Sequence, residues 1–125
     1  MDHFQLMQWV LHILDQVKVF HWTTRQYSAH KALDELHVSL SDLSDTLVEA
    51  VMGKYSKELS KSKNTLKLEP VSSDPSKAVS FIEAQRDQIE QAYKSFSNSK
   101  STDIPSILDD MQNAMNKALY LLTLQ

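Results

Sequence analysis

The amino-acid sequence predicts an all-α protein built from four helices in a single domain. One glycine and three prolines are the only strong helix breakers among its 125 residues, and this scarcity favours long helices. Apolar residues recur every three or four positions in several stretches, which places them on one face of a helix. A chain of this length can bury one hydrophobic core. We therefore expect residues 1–125 to form one domain.

The first half of the chain predicts two amphipathic helices joined by a tight corner. Helix A is expected over residues 4–20, and helix B from Ala29 to about Met52. The apolar face of helix B comprises Ala29, Leu33, Leu36, Leu40, Leu43, Leu47, Ala50 and Val51. Weak helix formers lie between the two helices, and Ser28 is a residue type that caps helices. These features predict the corner at residues 24–28.

A long polar connection separates the two halves of the chain. It begins at Gly53, and lysine and serine are frequent between residues 54 and 74, a composition typical of a frayed helix end followed by a solvated loop. Asp74 followed by Pro75 then provides an N-cap residue and a first helical residue. The sequence therefore predicts the start of helix C at this point.

Helix C carries its apolar pattern as far as Phe96, and a polar segment then interrupts it. Thr102 or Asp103 can cap helix D, whose inner face extends to Leu122. Two short corners and one long connection between helices B and C describe an up-down four-helix bundle with a crossover. Among helical bundles, this is the ferritin-like arrangement.

Composition and charge exclude several function classes. The chain has no cysteine, so any metal has to be held by histidine, aspartate or glutamate. The net charge of −3 and the pI near 5.9 give no general attraction to nucleic acid or anionic membranes. The sequence shows neither an apolar run long enough to cross a bilayer nor a secretory signal. We expect a soluble, cytoplasmic protein that binds neither DNA nor membranes.

Helix B carries a polar stripe on the side opposite its apolar face. At about 100° per residue, the members of the stripe fall within a sector of about 120°. They are His30, Asp34, His37, Ser41, Asp45 and Glu49. Val38 and Val48 fall inside the same sector, and apolar residues there favour a covered surface. The stripe therefore either faces water, or is covered by a second subunit, in which case any site lies at an interface.

The spacing within the stripe suits metal binding. His30 and Asp34 are four residues apart, as are Asp45 and Glu49, so each pair can present two donors from successive turns. Imidazole with carboxylates suits iron, zinc or manganese, and three or four such ligands leave coordination open for a reactant. The same spacing is also typical of the solvated face of a charged helix.

Residues 6–52 combine the stripe with an HW pair at the end of helix A and the segment DTLVE in helix B. The residues of interest are His21, Trp22, His30, Asp34, Asp45 and Glu49. Asp45 and Glu49 stand fifteen and nineteen residues after His30. In these residues and spacings the chain resembles the Dps family, the mini-ferritins that protect DNA in starved bacterial cells.

The resemblance implies a ferroxidase centre shared by two subunits. His21, His30 and Asp34 of one chain would ligate one or two iron ions together with Asp45 and Glu49 of its two-fold partner. The implied activity is oxidation of Fe(II), preferably by hydrogen peroxide, with Fe(III) stored inside a hollow shell that is dodecameric in the family. The chain is then a ferroxidase if the metal site is intact, and zinc could take the place of iron.

A second hypothesis from another functional class is a non-catalytic helical-bundle oligomer. Such a protein keeps the dimer interface, with or without a structural zinc, and acts as a structural or interaction protein. We expect Trp22 to pack rather than to take part in redox chemistry. His37 lies off the family pattern and is expected to be a partly exposed interface residue, and Tyr27 is expected to be an anchoring aromatic.

Overall fold

The computed structural model describes residues 1–55, 65–69, 73–97 and 102–124. It contains four helices, α1 (His3–Thr23), α2 (Tyr27–Lys54), α3 (Pro75–Phe96) and α4 (Asp103–Leu121). No strand occurs among the described residues, so the predicted all-α class with four helices is confirmed. Most of the predicted polar connection falls on residues 56–64 and 70–72, which lie outside the described residues.

Side-chain caps fix the starts of α1 and α3. Asp2 accepts a hydrogen bond from the backbone N–H of Gln5 at 2.7 Å, and the Gln5 side chain accepts one from the Asp2 N–H at 2.8 Å. Asp74 caps α3 as predicted, because its carboxylate accepts a hydrogen bond from the Ser76 N–H at 2.9 Å. This backbone hydrogen bond lowers the pKa of the Asp74 carboxyl. Pro75 follows as the first residue of α3.

The corner between α1 and α2 is shorter than predicted. Helix α1 continues to Thr23 and α2 begins at Tyr27, so the N-cap is Gln26, which makes no capping side-chain hydrogen bond. The prediction that Ser28 caps α2 is wrong. Its hydroxyl lies 3.5 Å from the carbonyl oxygen of Leu124 instead, so Ser28 connects the start of α2 to the end of the chain.

Helix α4 packs against α2 and α3, and it runs antiparallel to both. Lys54 at the end of α2 forms a 2.9 Å ion pair with Asp103 at the start of α4, whereas the start of α2 lies near Leu124. Arg86, in the middle of α3, donates a hydrogen bond to Asn116 at 3.1 Å, and Tyr93, about two turns later, donates one to Asp109. The contacts therefore move toward the N-terminus of α4 as α3 advances.

Helix α1 packs extensively on α2 and makes a smaller contact with α3. The indole N–H of Trp9 donates to the Gln85 side chain at 2.9 Å, and Phe20 packs edge-on against Phe81. The described segment 65–69 lies against α1, since the backbone N–H of Glu69 donates to the buried side chain of Gln16. The segment therefore covers part of the α1 surface next to α3.

All four helices contribute to one apolar core. Its largest fully buried side chains are Leu6, Ile13, Phe20, Leu33, Leu40, Leu47, Ile82, Ile89, Ile104, Leu108, Met111 and Met115. The predicted apolar face of α2 is buried except at Leu43 and Ala50, which are half-buried at its edge. Because this face is buried, the polar stripe on the opposite side of α2 faces away from the core. Among the described helices, none combines the length and the hydropathy needed to cross a membrane.

Candidate metal centre at the α1–α2 corner

His21 and His30 face each other across the corner and bind each other's backbone. The Nδ1 atom of each ring lies 2.8 Å from the backbone carbonyl oxygen of the other residue. The two rings stack with their centroids 3.9 Å apart and an interplanar angle of 20°. Because a carbonyl oxygen can only accept, Nδ1 is the protonated nitrogen in both rings. In the neutral form of either ring the lone pair is therefore on Nε2, the atom available to a metal.

The end of α1 explains why this arrangement forms. The last intrahelical-type bond runs from the Thr24 N–H to the Phe20 carbonyl at 3.0 Å, so the carbonyl groups that follow need partners outside the helix. The imidazole of His30 supplies one for the carbonyl of His21. In return, His21 donates to the His30 carbonyl in the first turn of α2. The histidines thus connect the two helix ends in a corner that contains neither glycine nor proline.

This reciprocal bonding predicts a stability effect that is independent of metal. We expect His21→Ala and His30→Ala each to lower the free energy of unfolding by about 1–3 kcal/mol, because each leaves a carbonyl without its imidazole donor. The double variant should lose less free energy of unfolding than the two single variants together, because the two rings stack on each other. Urea denaturation in the presence of a chelator measures all three. His37→Ala, which is in α2 with His30, is the control and should lower the free energy of unfolding by less. If the two single losses add up to the loss of the double variant, the pairing is contradicted.

Asp34 joins the histidine pair on the outer side of the corner. Its Oδ1 atom lies 3.9 Å from the Nε2 atom of His21, and its side chain is about half exposed while His21 is 8% exposed. The structure therefore places at one corner the three residues that the resemblance assigns to one chain. No group of three or more histidines, aspartates and glutamates in the described part of the chain is close enough to hold a metal by itself.

Asp45 and Glu49 lie far from this corner. Both side chains are exposed on the same outward face of α2, and Asp45 follows His30 by fifteen residues. At 1.5 Å per helical residue, this separates them by about 22 Å. A single chain cannot place all five predicted ligands around one metal. If the corner cluster and the acidic pair belong to one site, only a second copy of the chain can unite them.

His37 lies next to the corner cluster and is half-buried, in agreement with its predicted partial exposure. Burial and the neighbouring Lys18 ammonium lower the pKa of its imidazole, whereas the Asp34 carboxylate opposes this effect. Asp15 and Lys18 of α1 thus face the polar stripe of α2. The sequence predicts only the α2 residues of this face, because the pairing of two helices is not visible in the periodicity of one.

The outer face of α1 and α2 also carries exposed apolar side chains. The exposed fractions are 67% for Trp22, 75% for Tyr27, 58% for Val38 and 51% for Leu11. The predictions that Trp22 packs and that Tyr27 is an anchoring aromatic are therefore wrong within one chain. Because α1 continues through Thr23, the buried position falls to His21 and the next residue, Trp22, points outward.

A groove between α1 and α2 lies on the same outer face. It has a volume of about 450 Å³ and is lined by apolar side chains of α1, including Met7 and Leu11, and by Asp42, Asp45 and Val48 of α2. Asp45, one of the predicted ligands, thus borders an apolar depression. The sequence alone did not reveal this groove, because it forms only where the two helices pack side by side.

Fold and site together define an all-α helical bundle with an imidazole–carboxylate cluster at one helical corner. The chain belongs to the family of unknown function DUF5856, whose family model matches residues 21–122. The matched region begins at His21 and includes all five predicted ligands. The comparison with curated proteins gave no match, and neither did the comparison with solved structures.

Proposed function

We propose that the protein is a Dps-like mini-ferritin that oxidises Fe(II) with hydrogen peroxide at a site shared by two subunits and sequesters the Fe(III) product. The observation that carries the proposal is the histidine pair, in which both Nδ1 atoms are bound to backbone carbonyls. Histidines that ligate metals characteristically donate their second ring N–H to such a partner. Each ring therefore has Nε2 as its ligating atom, and the Nε2 atom of His21 lies 3.9 Å from Oδ1 of Asp34.

The order of the helices supports a ferritin-like bundle. Helices α2 and α3 are both antiparallel to α4, so they run parallel to each other and need a connection as long as a helix. Residues 55–74 supply twenty residues between Lys54 and Pro75. At roughly 3.3 Å per extended residue, they can span about 66 Å, more than the about 42 Å length of α2. The segment 65–69 alongside α1 is consistent with such a crossover.

The donor set suits iron as a substrate. Neutral imidazole nitrogen and carboxylate oxygen are ligands that Fe(II) accepts, and they leave positions open for an oxidant. The Nε2 atom of His21 and the Oδ1 atom of Asp34 are 3.9 Å apart. One metal ion can bind both atoms, because two metal–ligand bonds of about 2.1 Å that meet at a wide angle span this distance. A small rotation of the half-exposed Asp34 side chain brings its carboxylate closer to the ring.

In a two-fold symmetric dimer, the proposed site forms twice. The corner cluster and the acidic pair lie on one outward face of α2, with the exposed Val38 near the midpoint between His30 and Asp45. If two antiparallel copies of α2 cross near this midpoint, the corner of each chain meets Asp45 and Glu49 of the other. An isologous dimer of this kind buries the exposed apolar side chains of the same face.

The residues then divide the chemistry between them. The histidines and Asp34 hold Fe(II), and the carboxylates of Asp45 and Glu49 from the second chain stabilise the higher charge of Fe(III). Two Fe(II) ions give one electron each to one hydrogen peroxide, which takes up two protons and leaves as two water molecules. Because both electrons are delivered at one site, no hydroxyl radical is released.

Anaerobic loading with Fe(II) followed by hydrogen peroxide tests this function. We expect a fast rise of near-ultraviolet Fe(III) absorbance, and we expect Asp45→Asn with Glu49→Gln to slow it at least tenfold, to judge from losses of about 10–100-fold when even the outer partners of metal ligands are changed. Asp109→Asn with Asp110→Asn, an exposed acidic pair on α4, is the matched control. Absence of the fast phase, or equal rates in the two double variants, would exclude the proposed site.

One observation favours the second hypothesis, a non-catalytic oligomer. The histidine pair satisfies the backbone at the end of α1, a role that it fills without any redox chemistry. In that case the protein forms the same dimer but does not oxidise Fe(II), and any zinc bound to it resists exchange for iron. Metal analysis after incubation with excess Fe(II) distinguishes this outcome from ferroxidase activity.

A further inference from the structure

Trp22 and the groove between α1 and α2 are complementary features of the same outer face. Trp22 follows His21 directly, and 67% of its surface is exposed. The groove of about 450 Å³ has apolar walls that include Met7, Leu11 and Val48, and Asp45 lies at its edge. An exposed indole and an open apolar groove on one surface are both unfavourable in water.

We propose, on the basis of the two-fold dimer of the proposed function, that Trp22 of each subunit inserts into this groove of its partner and anchors the interface. The occupant of the groove is therefore a second copy of the chain. Trp22 acts as a packing residue at the interface, next to the candidate metal centre but not as a ligand.

The register of the dimer determines this placement. In the proposed site, Asp45 of the partner subunit approaches His21, and the residue after His21 is Trp22. Asp45 also borders the groove. A dimer in which the Asp45 carboxylate approaches His21 therefore also places the groove next to the indole of Trp22. Since a two-fold axis exchanges the two chains, the same contact forms twice, once on each side of the axis.

Charge complementarity supports the same register. Lys18 lies over the Trp22 ring with its Nζ atom 5.9 Å from the ring centroid, and the exposed Arg25 follows three residues after Trp22. The groove has the opposite charge, because Asp42 and Asp45 line it. The indole N–H is also a donor that needs an acceptor once it is buried. A tryptophan flanked by cations therefore fits an apolar groove edged by carboxylates.

The oligomeric state of Trp22→Ala tests the anchor. Sedimentation equilibrium should show that Trp22→Ala raises the dimer dissociation constant by about thirtyfold, the change that corresponds to loss of an interface anchor worth about 2 kcal/mol. Tyr120→Ala is the matched control, because Tyr120 is a 63% exposed aromatic residue on α4, away from this face. Equal dissociation constants for Trp22→Ala and wild type overturn the proposal, as does a wild-type chain that remains monomeric.

A charge exchange tests the register. Asp42→Lys should weaken the dimer by placing like charges opposite each other, and adding Lys18→Glu should restore at least part of the lost affinity. Failure of the second change to restore affinity contradicts the contact between the groove and the surroundings of Trp22. Neither residue is among the predicted metal ligands, so the measurement does not depend on iron binding.

Fluorine NMR of protein labelled with fluorotryptophan separates this inference from the proposed function. Of the two resonances, that of Trp22 is identified by its loss in Trp22→Phe, and it should shift and broaden as dilute monomer is concentrated into dimer. A shift without ferroxidase activity supports the anchor and excludes the proposed iron chemistry. Ferroxidase activity with an unshifted Trp22 resonance in the dimer supports the chemistry and overturns the anchor.

Discussion

A mixture of two inactive variants is expected to recover about a quarter of the wild-type rate of Fe(II) oxidation. The first variant carries His21→Gln with His30→Gln, which removes the imidazole ligands but keeps an N–H donor for each carbonyl. The second carries Asp45→Ala with Glu49→Ala. After random exchange of equal amounts, half of the dimers contain one chain of each kind, and one of the two sites in such a dimer has all five side chains. Stopped-flow absorbance after peroxide addition measures the rate.

The controls for this mixture are the two variants taken separately through the same subunit-exchange procedure. If the mixture is no more active than the average of the separate variants, the site is not shared between subunits. A site formed within one chain cannot be restored by mixing, because each variant lacks part of it. Recovery therefore reports on the arrangement of the ligands and not only on their importance.

The second large effect concerns the core. Met111 is completely buried on α4, the helix that packs against both α2 and α3. We expect Met111→Ala to lower the free energy of unfolding by about 2–5 kcal/mol, because it removes buried apolar surface and leaves a cavity. Urea denaturation monitored by circular dichroism measures this loss at a fixed protein concentration.

Asp110→Ala is the matched control for the core prediction. Asp110 precedes Met111 on the same helix, but its side chain is exposed, so the expected change is within about 0.5 kcal/mol. A loss below about 1 kcal/mol for Met111→Ala would show that the neighbouring helices close the cavity. A similar loss in both variants would instead indicate an effect on the helix itself.

Helix type and helix faces were predictable from the sequence because they depend on local spacing. The apolar repeat of α2 placed Leu33, Leu40 and Leu47 in the core, where they are completely or almost completely buried. The dipeptide of Asp74 and Pro75 predicted the start of α3 through a capping bond that involves only neighbouring residues. Such features need no knowledge of how the helices pack.

Features that arise between helices could not be read in the same way. Ser28 is a good capping residue by type, but the bonds between His21 and His30 hold the corner, and α2 starts before Ser28. The sequence predicts that Trp22 packs, yet the continuation of α1 leaves its side chain exposed. The spacing of His30, Asp34, Asp45 and Glu49 is local to one helix and therefore visible in the sequence, whereas His21 is a candidate ligand through the family resemblance. The separation of about 22 Å between His30 and Asp45 follows only from the rise of the helix that contains both residues.

The bonds between His21 and His30 also bear on the order in which the protein folds. They join residues only nine positions apart, so closing this corner costs little chain entropy and requires no part of α3 or α4. A nascent chain can therefore orient both imidazoles as soon as α2 has been synthesised. In the proposed dimer, the histidine half of the site would therefore form by local folding within one chain, whereas the carboxylates would join it only when two folded chains associate.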